Sequence, residues 1–295
     1  MSMKNIDMAL CSYLDDLFFH GKQIWEARYA VYGTIWLKQL VRHCPHTLPR
    51  AREALLGWGK ASPEVVGDPL PWEAALLIAQ HMADSGTPTG LAGARAVLVG
   101  FDGYLRPAET LGIRKSDVTI NRRNTVLRYP TITLTIAPQR LTPDTGDPPP
   151  RRTKAGHHDD TIIIGDEASR SAGRGLVVGI LRLAFNVASA NQLLFNLDLN
   201  DYQALFRSAV RDLKLQKLKP TPHGLRHGGP STDAALQVRS RDDIRKRGRW
   251  QADVSVRRYE KSGKLTRQIA LLSVSELDAA RRALLRLPQL LGHVL

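Results

Sequence analysis

Tyr129-Pro130-Thr131-Ile132-Thr133-Leu134-Thr135-Ile136 sets apolar side chains at every second position, the pattern of a half-buried strand. Thr161-Ile162-Ile163-Ile164 is a second β-branched run. Together they predict a small antiparallel sheet within 117–166. Between them, Pro138–Pro150 holds five prolines, two aspartates and a glycine, a composition that cannot join a ladder and reads as an inserted loop. On both sides of this island the apolar spacing switches to the helical period. The expected fold class is therefore mainly α with a small antiparallel β-sheet, an α+β chain.

Working outward toward the N-terminus, a short helix is expected at Leu105-Arg106-Pro107, after helices at Trp72–Asp84 and Leu91–Tyr104. Ser62–Pro71, with three prolines, is the best linker. Before it, Leu10, Leu14, Leu17 and Phe18, then Trp25, Tyr29, Tyr32, Trp36 and Leu40, recur at helical steps around a break near Gly21, a helical hairpin followed by a helix near Arg50–Trp58. Toward the C-terminus, helices are expected at Gly175–Ala190, at Asp201–Leu213 with Asn200 as cap, and in pieces over Pro222–Val238, Arg241–Arg247 and Val254–Tyr259. Ser273-Val274-Ser275-Glu276 is a capping-box pattern opening a last helix. These breaks give three parts: 1–66, 67–272 and 273–295.

The 295 residues are 43% apolar and 24% charged, a globular balance that excludes disordered and fibrous classes. Lys and Arg number 42 against 28 Asp and Glu, a net charge of +14 that calls for a polyanionic partner. Arg207–Arg267 alone holds 17 basic and 6 acidic residues. Two cysteines are too few for a disulfide framework and suit a reducing, intracellular compartment. Asp7, Asp15 and Asp16 speak against a signal peptide, and the longest apolar run, Leu176–Ala190, is broken by Arg182 and Asn186, so no membrane association is expected.

Four islands carry candidate chemistry. In Tyr104-Leu105-Arg106-Pro107-Ala108-Glu109, Arg106 is either a surface ion pair with Glu109 or a phosphate fork oriented by it. In Arg151-Arg152-Thr153-Lys154, the lysine is either solvated or a general acid whose pKa is lowered by its basic neighbours. A metal site at His157, His158, Asp159 and Asp160 is disfavoured because adjacent strand positions point to opposite faces. In Pro222-His223-Gly224-Leu225-Arg226-His227, His223 and Arg226 share a helix face and could reach one phosphate, against the ordinary explanation of a buried histidine beside an exposed arginine. In Arg247-Gly248-Arg249-Trp250 and on to Arg257-Arg258-Tyr259-Glu260-Lys261, the aromatics are either core residues or a phenol set among cations. Together the islands hold the inventory for metal-free phosphoryl transfer. Two arginines neutralise the transition state, Lys154 protonates the leaving group and His223 accepts the phenol proton. Trp250 donates from its indole N–H, and Tyr259 is the nucleophile.

In that order, Arg106, Lys154, His223 with Arg226, Trp250 and Tyr259 resemble the catalytic set of the tyrosine recombinase (phage integrase) family, including the nine-residue step from Trp250 to Tyr259. Trp250 stands where histidine is commoner in that family, and Gly228-Gly229-Pro230 replaces the usual apolar helix start, so that a later helix start is expected. The Trp250 to Lys261 stretch looks more like eukaryotic mobile-element members than phage ones. The resemblance implies a helical core-binding domain at 1–66 and a catalytic domain at 67–272, closing as a C-shaped clamp on double-stranded DNA. The apolar face of the final helix, 273–295, either covers its own core or inserts into a neighbouring protomer; the resemblance favours the neighbour and implies a homo-tetramer on paired sites formed from monomers or dimers. The implied reaction is site-specific recombination or integration through a 3′-phosphotyrosine link, with no metal or other cofactor. Glu109 and His227 would support the site, and Arg151, Arg152, Arg247, Arg249, Arg257, Arg258 and Lys261 would contact DNA. The compartment would be the nucleus in a eukaryotic host and otherwise the cytoplasm or nucleoid. A type IB topoisomerase or telomere resolvase, or a non-catalytic DNA-binding protein of the same fold, are the alternatives.

Overall fold

The computed structural model describes residues 2–38, 47–62, 67–121, 130–136, 160–250, 256 and 261–292. The chain is mainly helical with one small antiparallel sheet, and it divides into two compact units, Met1–Val66 and Gly67–Leu295.

The first unit contains α1 (Met3–Phe19), α2 (Ile24–Leu37) and α3 (Pro49–Ala61), with Gly21 at φ 66° turning the chain between α1 and α2. Buried Asp7 of α1 caps α3 from a distance: its carboxylate accepts the backbone N–H groups of Arg50 (3.1 Å) and Ala51 (3.0 Å), satisfying donors that the cap residue Leu48 cannot serve. The core is built by Leu14, Leu17, Ile24, Ala27, Val31, Ile35, Leu48, Ala51 and Trp58. The recurring aromatics of α2 therefore mark its outer face. Trp25, Tyr29, Tyr32 and Trp36 are exposed, Trp36 at 79%, while the smaller Ile24, Ala27, Val31 and Ile35 point inward.

The second unit opens with α4 (Trp72–Asp84), α5 (Pro88–Asp102) and the short α6 (Pro107–Leu111). Thr87 caps α5 by accepting from the Gly90 N–H, with Pro88 at the first helical position. The sheet follows, in the order β1 (Val118–Asn121), β2 (Thr131–Ile136), β3 (Asp160–Ile164), all antiparallel, with Leu134 opposite Val118 and Ile162. Alternation does what the sequence predicts: Ile132, Leu134 and Ile136 are buried, as are Ile162 and Ile164, while Ile163 is exposed. The four-residue β1 was not expected, being too short to show a period. The Pro138–Pro150 insertion lies outside the described residues.

The remaining helices are α7 (Glu167–Ser171), α8 (Leu176–Val187), α9 (Leu199–Asp212), α10 (Gly224–Ala235), α11 (Arg241–Gly248), α12 (Ser262–Ala270) and α13 (Val274–Leu290). Of the expected 254–259 helix only Val256 is described, and it is helical. Asp198, not Asn200, caps α9, accepting from the Asp201 N–H. The Ser273–Glu276 capping box is present at the start of α13. This last helix packs on α4 and α8, with Ala280, Ala283, Leu287 and Leu291 in the core of its own chain and Leu285 left outside. In this single chain the helix covers its own core.

Helix α10 also departs from expectation. It starts at Gly224 and runs straight through Gly228, Gly229 and Pro230. The two glycines are there for closeness. A Cβ on Gly228 would lie 2.2 Å from the Leu70 carbonyl oxygen and 2.6 Å from the Phe101 ring, and one on Gly229 would lie 2.4 Å from the Phe101 carbonyl oxygen. Backbone-to-backbone contact with the end of α5 fixes where α10 sits. Gly228→Ala is accordingly expected to cost roughly 1–3 kcal/mol or more in urea denaturation. Gly263→Ala, on α12 with open space around it, should be neutral or stabilising by up to about 1 kcal/mol.

Candidate functional site

At its C-terminal end α5 leaves the helix through a Schellman motif: the Leu105 N–H donates to the Gly100 carbonyl (3.0 Å) and the Tyr104 N–H to the Phe101 carbonyl (3.3 Å). The left-handed residue of such a motif is usually glycine. Here Gly103 keeps φ −82° and Tyr104 takes φ 52°. Two residues on, Arg106 precedes α6, and the Glu109 carboxylate turns back to accept from the Arg106 backbone N–H (2.9 Å) and from its guanidinium.

Glu109 is also met from two other elements. Arg226 of α10 reaches it at 3.3 Å and Arg249, just beyond α11, at 2.7 Å. Three guanidiniums therefore converge on one carboxylate, leaving two positive charges in excess among the described residues. Burial alone would raise the Glu109 pKa, but the Arg249 and Arg226 charges and the Arg106 N–H outweigh it and hold the carboxyl below its usual range. The Arg226 side chain is 1% exposed and also donates to the carbonyls of Tyr104 and Gly248, the latter at 2.9 Å. Arg106 is 26% exposed and forms the open side. Trp250 is buried against this group: its ring stacks on Tyr104 (6.4 Å between centroids, 17° between planes), and the Arg226 guanidinium lies 5.4 Å from its centroid. Gly248 makes room for it, since a Cβ there would lie 2.2 Å from the indole ring.

Beneath lies a second ionic cluster. Arg174 is completely buried and bonds Asp102 (2.8 Å) and Asp233 (2.5 Å). Arg239 bonds Asp233 (2.7 Å) and forks onto both oxygens of Asp166 (2.7 and 2.5 Å). Arg247 donates to the Asp102 carbonyl (3.0 and 2.8 Å) and to the Ile163 carbonyl (2.5 Å), and lies over the Tyr104 ring. The Tyr104 hydroxyl donates to Asp233. Ser169 donates to Asp102 at 2.7 Å. Here three arginines face three aspartates, so the charges balance.

The structure thus brings together Arg106, Glu109, Arg226, Arg249, Trp250 and Tyr104. His223, the residue before α10, is exposed, with its ring edge-on to buried His227 at 5.1 Å. Two residues expected to contact DNA have largely covered side chains in this chain. Arg247 is buried and committed to the end of α5, and Arg249 is buried against Glu109, so neither presents its guanidinium at the surface. Lys261 is half-buried. Its N–H donates to Ser231 Oγ (3.0 Å) and its ammonium to the Gly67 carbonyl (2.5 Å), and burial with Lys264 beside it brings its pKa down to about 8. Lys154, Tyr259, Arg151, Arg152, Arg257 and Arg258 lie outside the described residues. The buried Arg174, Asp102 and Asp233, and the partly buried Arg239 and Asp166, were not foreseen. The signal available was charge placed inside apolar segments, as in Val97-Leu98-Val99-Gly100-Phe101-Asp102.

No protein-family profile matches the chain, and no curated protein matches it.

Removing one partner of the buried cluster strands the others, so Asp102→Asn is expected to cost about 3–5 kcal/mol by chemical denaturation. The Asp166 carboxyl gives a pH signature. Burial opposes its ionisation, but the Arg239 hydrogen bonds and the Arg247 charge hold its pKa down to about 2, against 3.8 ordinarily. A depressed carboxyl contributes stability above its unfolded value and loses it as pH falls through the folded one. Thermal stability should therefore drop between pH 3.8 and about 2 more steeply in the parent chain than in Asp166→Asn.

Proposed function

We propose that the chain is a site-specific DNA recombinase or integrase that cleaves and rejoins strands through a 3′-phosphotyrosine link, without metal or ATP. The observation that carries this reading is the group of three guanidiniums converging on Glu109, with an open side at Arg106. Carboxylate and guanidiniums are fixed before any ligand arrives, as electrostatic stabilisation of a developing phosphorane requires. Arg106 contacts a non-bridging oxygen, and Arg226 and Arg249 add charge from below through a dry environment that screens little.

The chemistry follows from the residue types. The Tyr259 phenol gives its proton to His223, its Oη bonds to phosphorus, and the bond from phosphorus to the 5′ oxygen breaks as Lys154 protonates the departing oxygen. The link preserves the phosphodiester energy, and attack by a second 5′-hydroxyl reverses the steps and reseals the strand. Supporting this reading are the exposure of His223 and the concentration of basic residues in Arg207–Arg267. The N-terminal unit is then the core-binding domain of a clamp on duplex DNA, and exchange takes place in a homo-tetramer on paired sites. Binding of this kind weakens steeply with salt.

One observation favours a second reading, a DNA-binding protein that does not cut: Arg226 is almost wholly inside and held by two backbone carbonyls. The two separate on a nicked suicide duplex drawn from DNA flanking the chain's own gene. Tyr259→Phe should abolish the covalent adduct and leave binding intact, and Arg106→Ala should slow adduct formation by roughly 10²–10³. Mass spectrometry of the DNA-linked peptide should return Tyr259. An adduct that persists in the Phe variant refutes the nucleophile assignment, and no adduct from the parent chain supports the second reading.

A further inference from the structure

We infer that Tyr104 is the positioning residue of the phosphate site and acts through its left-handed backbone. This rests on the reading of Arg106 and Arg226 as a phosphate cradle. Four observations meet at this one residue. Its φ of 52° is a conformation that glycine adopts readily and that a side chain with a Cβ resists. Its backbone N–H and that of Leu105 close the Schellman motif, so the conformation is imposed by the way α5 ends. Its carbonyl, turned by that conformation, accepts from Arg226 Nη1. Its ring is buried between Trp250 and the Arg247 guanidinium, while its hydroxyl donates to Asp233.

The residue joins the two ionic clusters. Through its side chain it is anchored in the balanced cluster below, and through its carbonyl it holds an arginine of the cluster around Glu109. Glycine would supply the turn and the carbonyl but neither anchor, which gives a physical reason for an aromatic residue at a position where glycine is easier. The carbonyl is the working part. A backbone oxygen takes up one donor of Arg226 without adding a counter-charge to that of Glu109, so the guanidinium is held in one orientation.

The backbone and side-chain contributions separate in three variants of the full chain. Tyr104→Gly and Tyr104→Ala both lose the ring and hydroxyl, but only Gly keeps the left-handed conformation at no cost. The probe is inorganic phosphate at low salt, read from the arginine Nε–H NMR resonance that Arg226→Lys removes, with thermal stability measured alongside. The two variants should lose similar stability, yet the Ala variant should bind phosphate about tenfold more weakly than the Gly variant, the factor set by the left-handed penalty. A role confined to packing would weaken both equally, and equal affinities overturn the proposal. Should neither variant fold, Tyr104→Phe decides. It keeps ring and backbone, so phosphate affinity should stay within about twofold of the parent, whereas a tenfold loss in a folded Phe variant assigns the effect to the Asp233 bond and overturns the proposal. If phosphate leaves the Arg226 resonance of the parent chain unmoved, the phosphate reading of the site falls and this proposal with it.

Discussion

Arg174 is held, fully buried, between Asp102 and Asp233. Taking three charged groups out of water is expensive, and the cost is offset only where each finds partners at short range. Asp102 ends α5, Asp233 lies near the end of α10, and Arg174 stands between α7 and α8, so satisfying this one guanidinium fixes three segments at once. Arg239 and Arg247 extend the same constraint to Asp166, at the start of α7, and to the Ile163 carbonyl of β3. The burial of Arg174 leaves its pKa above the ordinary arginine range despite desolvation, because the two carboxylates beside it prevail. The Arg174 guanidinium therefore keeps its charge and acts as a fixed brace.

What the brace supports depends on glycine in a second way. Charged groups can form so compact a set only if the backbones carrying them come close, and Gly228 and Gly229 let α10 touch the end of α5 where any larger residue would collide. Gly103 does the same on the sheet side, where a Cβ would lie 2.9 Å from Ile162. These glycines serve space and not torsion, and that leaves the left-handed turn to Tyr104. The loss of freedom that accompanies glycine inside a helix is compensated by the contacts it permits.

This explains what could be read from the sequence and what could not. Helix α4 and the buried face of β2 follow from local periodicity, and the capping box of α13 from local chemistry; all three were legible because a few neighbouring residues determine them. In α2 both faces are apolar. Periodicity then identifies a helix without saying which face turns inward, and packing selected the small β-branched side chains that fit against α1 and α3. Within the site, Arg106, Glu109 and Arg226 were legible as functional types with a plausible spacing. The convergence of Arg249 on Glu109, across 140 residues, was not, and neither was the burial of Arg247, because both arise from contacts between distant segments.

The contrast between the two clusters bears most directly on function. Proteins bury charge in balanced sets, as Arg174, Arg239 and Arg247 do with Asp102, Asp166 and Asp233, since an uncompensated ion in a dry interior is strongly disfavoured. The neighbouring set gathers Arg106, Arg226 and Arg249 on the single carboxylate of Glu109 among the described residues, joined to the same tyrosine through its carbonyl. Arg106 is its solvent-reaching member, so an anion entering there would meet guanidiniums already held in place. A planar guanidinium holds its charge and its donor directions through such an encounter, which lysine on a flexible stem would not. The lower cluster supplies rigidity, and on the reading proposed above the set around Glu109 would turn that rigidity toward a phosphate.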